Sequence, residues 1–169
     1  MVWVNIFVVF ILLISLLAGL KEGAVKHFFN LMIAVIAVFV AGLVYHLIAW
    51  LLSFLPGENW ENFLGFFISY AIIIAILHLI FLVPRKLTQK KWKRGLPYRL
   101  LGGALNVVGT SIGLVVFALV LSAFPIFDWL ARWVAGSSVM SFIVQIFGFV
   151  QVLLPEELQA AASLISTIV

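Results

Sequence analysis

The chain has 169 residues, of which 66% are hydrophobic and 9% are charged, and its formal net charge is +4. This composition excludes an ordinary soluble domain, because too few polar side chains remain to cover a globule of this size. An integral membrane protein is predicted instead. The chain contains no cysteine, which excludes disulfides, thiolate metal sites and a cysteine nucleophile. Most of the positive charge lies in one segment rather than across a surface, so we expect no nucleic-acid partner.

Four apolar runs are long enough to cross the hydrocarbon core of a bilayer as helices. They cover residues 2–20, 28–55, 63–83 and 100–124. The second run would measure about 42 Å as one helix, so it must tilt or begin in the interface. The sequence therefore predicts an all-α integral membrane protein with a four-helix transmembrane domain in residues 1–124.

The orientation of these helices follows from the cations between them. One segment between the third and fourth runs carries seven cations and no acid: Arg85, Lys86, Lys90, Lys91, Lys93, Arg94 and Arg99. The loop predicted at residues 21–27 carries two more cations, whereas the turn at residues 56–62 carries none. Because cytoplasmic loops retain Lys and Arg, we expect both basic segments in the cytoplasm and both termini outside. The seven cations serve as a topology signal, and they could also contact anionic lipid headgroups or an acidic partner protein.

The tail, residues 125–169, is predicted to be an amphipathic segment on the outer face of the membrane. Apolar and charged side chains fall on opposite faces of residues 125–136, and Trp129 and Trp133 suit the headgroup zone as interfacial anchors. Residues 138–154 are a candidate fifth span, although a helix of that length measures roughly 25 Å and is short for a span. Pro155, followed by two acids, predicts the start of a further helix.

Small residues recur at helical spacing within the predicted spans. One line lies at the end of the first run, at Ser15, Gly19 and Gly23. A second line follows the fourth run, at Gly102, Asn106, Gly109 and Gly113. In lipid, small residues let helix backbones approach closely, so we predict that both lines pack helices, within one bundle or between copies. A different interpretation is a polar path for water lined by His46, Asn106, Thr110 and Ser111.

Two histidines, His46 and His78, lie within the predicted spans, where ionisable residues commonly have a function. Their predicted depths differ by some 20 Å, so they cannot share a metal ion within one chain. The plainer interpretation is a neutral imidazole in an outer aromatic zone for His46 and snorkelling for His78. No catalytic set of side chains shares a depth, and metal-ligand spacing is absent. We therefore expect no enzyme activity, no cofactor and no metal.

Several stretches together carry a family resemblance. Gly19–Gly23 looks like a Gly-x-x-x-Gly motif that leads through a basic turn into a long second helix, and Arg99–Gly109 looks like a helix opened by Arg and punctuated by glycines. Phe124–Ile126 and Ser137–Val139 match the segment after that helix, and Pro155 matches a later proline. These stretches resemble the colicin V production protein family of small bacterial inner-membrane proteins. The chain departs from the family at Tyr98, where many members have an acid.

The resemblance implies a location and a process rather than a site. It implies a multi-pass protein of the bacterial inner membrane, linked to the production or export of a peptide toxin and to envelope maintenance, with no established catalytic residue or transported solute. A non-enzymatic accessory that engages lipids, export or envelope proteins, or copies of itself is the leading interpretation. An oligomeric channel or transporter with a water path along the fourth helix is the alternative. A sensor of membrane state, working through Trp129 and Trp133, is a third.

Overall fold

The computed structural model describes residues 2–91, 95–153 and 159. Within these residues the chain forms seven α-helices and one 3-10 helix, and it forms no strand. In chain order they are α1 (Val2–Glu22), α2 (Ala24–Leu51), α3 (Glu58–Ile80), α4 (Leu82–Lys91), α5 (Leu96–Ala123), α6 (Asp128–Ala135), α7 (Ser138–Ile146) and a 3-10 helix (Gly148–Leu153).

The four long helices, α1, α2, α3 and α5, are long and apolar enough to cross a membrane. They correspond to the four apolar runs of the sequence, so the prediction of an all-α chain with four candidate spans is confirmed. The helix α2 has 28 residues and measures about 42 Å, which exceeds the roughly 30 Å of hydrocarbon. A helix of this length fits a bilayer only if it tilts or extends beyond the hydrocarbon core.

The predicted loop at residues 21–27 is wrong, because the link between α1 and α2 is the single residue Gly23. The φ angle of Gly23 is +84°, a conformation that glycine adopts without the steric cost of a side chain. One such residue is enough to reverse the chain between two helices. As a result His27, which the sequence placed in a loop, lies in α2 and is buried, with 4% of its surface exposed.

The segment predicted as a basic loop is largely helical. Arg85 and Lys86 lie in α4, and Arg99 lies in the first turn of α5, which begins four residues earlier than predicted. Pro84 and Pro97 fall in the first turns of these two helices, where backbone N–H groups have no intrahelical acceptor and proline is tolerated. The helix α4 also takes in Lys90 and Lys91, whereas Lys93 and Arg94 lie outside the described residues.

The helix α5 is the centre of the bundle. It packs against α1 on one side and α2 on the other, and α3 packs on the far side of α2. The helices α1 and α2 make few contacts with each other, because α5 lies between them. Fully buried apolar side chains of α5, such as Val115 and Leu119, form the core together with Tyr45 of α2 and Phe66 of α3.

The tail packs against the bundle at the end opposite Gly23. The helix α6 contacts α5, α7 contacts α1 and α5, and the 3-10 helix contacts α5 and α2. Residues 138–153 form two short helices of nine and six residues, and neither approaches the roughly 20 residues that a span requires. The placement of the tail on the outer face and the domain boundary at residue 124 stay predictions. The predicted helix start at Pro155 lies outside the described residues.

Candidate functional site

The ends of four helices bring cations together at one end of the bundle. The last turn of α1, the first turn of α2, the helix α4 and the first turn of α5 all lie there. We call this the basic end and define it by Lys21, Lys26, Arg85, Lys86 and Arg99. The opposite end holds the start of α1, the turn between α2 and α3, and the helix α6.

The backbones of α1 and α5 almost touch near the basic end. A Cβ atom built on Gly19 would lie 2.4 Å from the carbonyl oxygen of Gly102, and one on Gly102 would lie 2.6 Å from the carbonyl oxygen of Gly19. A Cβ atom on Gly103 would lie 2.9 Å from Leu16 Cδ1. Real Cβ contacts are longer than these distances, so no side chain fits at Gly19 or Gly102 unless the helices separate. We call this contact the α1–α5 seam.

Two polar bonds extend the seam by two helical turns. Asn106 Nδ2 donates to the backbone oxygen of Ser15 at 2.6 Å, and the hydroxyls of Ser15 and Thr110 lie 2.6 Å apart. The seam thus joins the two predicted lines of small residues, with Ser15, Gly19 and Gly23 facing Gly102 and Asn106. A polar group bonded in this way inside a bundle is satisfied without water.

The rest of the second line faces elsewhere. A Cβ atom on Gly109 would lie 3.8 Å from Leu31 of α2, which is ordinary contact, and one on Gly113 would meet nothing within 4 Å. Gly113 is exposed. The structure therefore brings Gly102 and Asn106 onto α1 but leaves Gly113 on an open surface.

The four residues of the predicted polar path do not lie together. Asn106 and Thr110 bond to Ser15, and Ser111 is buried beside Thr110. His46 is exposed on α2 with its ring 4.0 Å from that of Tyr45. Counted along the two helices from the basic end, His46 lies about 18 Å further out than Asn106.

His78 is exposed near the end of α3, on the basic side of the bundle. Its Nδ1 atom lies 3.1 Å from the backbone oxygen of Ile74, one helical turn earlier. This local contact holds the ring along its own helix.

A polar cluster at the Gly23 link was missed by the sequence analysis. Lys26 donates to Glu22 across the link, and His27 Nε2 lies 3.1 Å from Glu22 Oε2. The signal was present, because Glu22 is the one acid in a basic stretch and stands four residues before Lys26. Treating residues 21–27 as a loop hid this helical spacing.

A pocket of about 390 Å³ opens beside this cluster. Four cations, one acid, a glycine and a tyrosine line it: Lys21, Lys26, Arg85, Arg99, Glu22, Gly23 and Tyr98. The ring of Tyr98 lies directly over Gly23, since a Cβ atom there would be 1.9 Å from Tyr98 Cε1. We call this the cationic pocket. Its charge and size suit an anionic group of small-molecule dimensions.

The opposite end carries aromatic side chains instead. Trp129 and Trp133 of α6 are about half exposed and pack edge to face, with ring centroids 5.0 Å apart. Trp60 packs in the same way on Phe127, at 5.5 Å. Amphipathic rings of this kind are typical of the membrane–water interface.

Comparison with known proteins supplies the family. No curated protein and no solved structure gives a significant match to the chain. Among the described residues, no group of three His, Asp or Glu side chains could hold a metal ion. A family model described as colicin V production protein matches residues 4–151, which include nearly all of the described bundle and confirm the resemblance read from the sequence. With four helices of spanning length, this match indicates a multi-pass membrane protein. The chain belongs to the colicin V production protein family.

Proposed function

We propose that the protein is a non-enzymatic accessory of the bacterial inner membrane that supports the production or export of a peptide toxin and the maintenance of the envelope. The observation that carries this proposal is the family match over residues 4–151, because it takes in the long helices, α6 and α7 rather than one motif. The described side chains support a role in binding anions, because cations outnumber acids at the basic end. Of the described acids, only Glu22 lies there, and it is paired with Lys26.

The proposed orientation places the basic end in the cytoplasm and both termini outside. The distribution of described cations supports it, since all except Arg132 lie in or beside the helix ends that meet at the basic end. Positive charge is retained on the cytoplasmic side, and the aromatic residues of α6 suit the outer interface. In this orientation the cations face the anionic lipids of the inner leaflet and any acidic export or envelope protein in the cytoplasm.

The alternative, an oligomeric channel or transporter, requires a water path along α5. The hydrogen bonds of Asn106 and Thr110 with Ser15 favour a packed seam over a water path at this depth. Gly113 is exposed and a Cβ atom there would meet nothing within 4 Å, so a second copy could approach α5 at this position. We therefore rank the accessory function first.

The test is complementation in a toxin-producing strain that lacks its own colicin V production protein. We expect the chain to restore the zone of killing around a colony and growth under envelope stress. Gly19→Leu should fail to restore either, because a side chain at Gly19 forces α1 and α5 apart, whereas Gly113→Leu should restore both. Membrane fractionation with immunoblotting checks that each variant is inserted. If the inserted wild-type chain restores neither trait, the proposal is wrong.

A further inference from the structure

A second pocket, of about 280 Å³, lies next to the cationic pocket and is lined almost entirely by apolar side chains. The lining residues are Ala24, Val25, Phe28, Phe29, Thr88, Leu101 and Leu105. We call it the apolar slot. The start of α2, the helix α4 and the start of α5 line both cavities, and the end of α1 adds Lys21 and Glu22 to the cationic pocket.

The two pockets lie side by side, because their lining residues stand within about one helical turn of each other at the start of α2, on α4 and at the start of α5. At the link and the start of α2, Gly23 and Lys26 line the cationic pocket while Ala24 and Val25 line the slot. On α4, Arg85 and Thr88 stand one turn apart, one in each pocket.

The slot reaches further into the bundle than the cationic pocket. Along α5, Leu105 lies about 10 Å beyond Tyr98 in the direction of the opposite end. A molecule that filled both pockets would need a charged group at the end of the bundle and an apolar chain directed into the membrane. That is the shape and orientation of a phospholipid in a bilayer.

The charge of the cationic pocket selects an anion. It contains four cations and one acid, and that acid is already engaged by Lys26. Two helices of 28 residues, α2 and α5, also begin at this pocket, and neither has a side-chain hydrogen bond at its N-cap. The positive ends of both helix dipoles therefore add to the field of the cations.

The walls of the cationic pocket are fixed by backbone packing. Gly23 is held between Tyr98 and Gly102, since a Cβ atom on Gly102 would lie 2.8 Å from Gly23 Cα. Glu22 and Lys26 bridge the link between α1 and α2. A pocket with preformed walls loses little conformational freedom when it binds, so its affinity exceeds that of cations on a flexible surface.

We propose that the cationic pocket and the apolar slot together bind one anionic phospholipid. Its phosphate would lie among Lys21, Arg85 and Arg99, and one acyl chain would lie in the slot against Phe28 and Leu101. The inference rests on the proposed function in one respect, the placement of the basic end at the inner leaflet. Purified protein tests it separately, because lipid binding in detergent does not depend on toxin production.

The experiment is native mass spectrometry of the purified full chain with phosphatidylglycerol, and with phosphatidylcholine of the same acyl chains as a neutral comparison. Arg85→Gln removes a cation from the pocket, and Lys86→Gln is the matched control, since Lys86 is exposed on the same helix and does not line the pocket. We expect Arg85→Gln to weaken phosphatidylglycerol binding about fivefold and Lys86→Gln less than twofold. Adding Arg99→Gln to Arg85→Gln should weaken binding further than either single variant does, because both cations line the same pocket.

The slot has its own pair of variants. Leu101 lines the slot and Leu100 does not, although both side chains are exposed. Leu101→Trp fills the slot and should weaken phosphatidylglycerol binding, whereas Leu100→Trp should leave it unchanged. Glycerol phosphate, which has the phosphate but no acyl chain, should compete more than tenfold less well than the lipid, because it gains nothing from the slot.

Three results would overturn the proposal. Equal losses for Arg85→Gln and Lys86→Gln would mean that the basic end attracts anions only as a diffuse charged surface. Equal binding of phosphatidylcholine would remove the selection by charge. Competition by glycerol phosphate as strong as that of the lipid would mean a site for free phosphate groups. Circular dichroism of each variant establishes that the helices are intact. If Arg85→Gln does not fold, Arg99→Gln takes its place in the comparison with Lys86→Gln, because the Arg99 side chain is exposed.

Discussion

At the scale of single residues, the two glycines with positive φ differ in what surrounds them. Gly23 has φ +84° and lies under the ring of Tyr98, whereas Gly57 has φ +98° and open space around its missing Cβ. The first links α1 to α2 and the second precedes α3. Comparing them separates the cost of the backbone conformation from the cost of a steric overlap.

We predict that Gly23→Ala lowers the free energy of unfolding by about 3 kcal/mol and Gly57→Ala by about 1–2 kcal/mol. A positive φ is unfavourable for alanine at both positions, but only at residue 23 does the alanine Cβ overlap an aromatic ring. Titration with sodium dodecyl sulfate in detergent micelles measures both values. Adding Tyr98→Ala to Gly23→Ala should recover the steric part alone, and equal losses for the two single variants would contradict this account.

The seam gives a second prediction at this scale. Gly19→Ala should destabilise the bundle by about 1–3 kcal/mol, because its Cβ would lie 2.4 Å from the Gly102 carbonyl oxygen and the two backbones must move apart. Gly113→Ala is the control, since its Cβ meets nothing within 4 Å and alanine is the better helix former. The same detergent titration compares the two. If Gly19→Ala left the stability unchanged, α1 and α5 would have to lie further apart in the membrane than the seam requires.

At the scale of elements, α7 is held to the start of α1 by one amide. Ser137 Oγ donates to Asn5 Oδ1 at 2.5 Å, and the Val139 N–H donates to the same oxygen at 3.4 Å. Ser137 Oγ also accepts from the Met140 N–H, which caps α7. Asn5 therefore ties the tail to the bundle through the residue that begins α7.

We predict that Asn5→Leu loosens α7 and leaves the four long helices intact. The substitution removes the oxygen that accepts the hydrogen bond of the Ser137 hydroxyl. Because this hydroxyl is fully buried, losing its acceptor costs about 1–3 kcal/mol of stability. Amide exchange in α7 should then rise about tenfold or more, as measured by hydrogen–deuterium exchange with mass spectrometry. Asn59→Leu is the control at the same end, because the hydrogen bond from Asn59 Nδ2 to the Pro125 oxygen is exposed and 3.4 Å long. Unchanged exchange in α7 would mean that apolar packing alone holds it.

At the scale of the whole molecule, the orientation of the bundle and the dryness of its centre can be tested together. The chain has no cysteine, so each introduced thiol is unique. We predict that Asn59→Cys reacts with a membrane-impermeant reagent only from outside and Lys86→Cys only from inside, because cations stay in the cytoplasm. Ser111→Cys should stay unreactive, since that position is buried. The measurement is gel-shift labelling of intact cells and inverted vesicles.

Labelling of residue 59 from inside or of residue 86 from outside would mean that the orientation is the reverse of the one proposed. A reactive thiol at residue 111 would mean that water enters the bundle, and the channel hypothesis would then replace the accessory function. Both residues used for topology are exposed, so a lack of reaction at both would mean that neither end leaves the membrane.

The number and approximate limits of the long helices were predictable from the sequence because lipid imposes a simple rule. A span must be apolar over about 20 residues, and local composition alone reveals such a run. The lines of small residues were also visible, since helical spacing is a local property. The family followed from the same stretches, Gly19–Gly23 and Arg99–Gly109.

Which of these surfaces meet was decided only by the tertiary structure, because contact between distant segments depends on how helices are placed and not on their spacing. Gly102 meets Gly19, whereas Gly113 on the same line meets nothing. The prediction of a loop at residues 21–27 was wrong, because Gly23 alone, with its positive φ, links α1 to α2. His27 therefore lies in a helix and is buried. The cationic pocket joins residues from Lys21 to Arg99, and no local pattern reveals a cavity built by three separate segments.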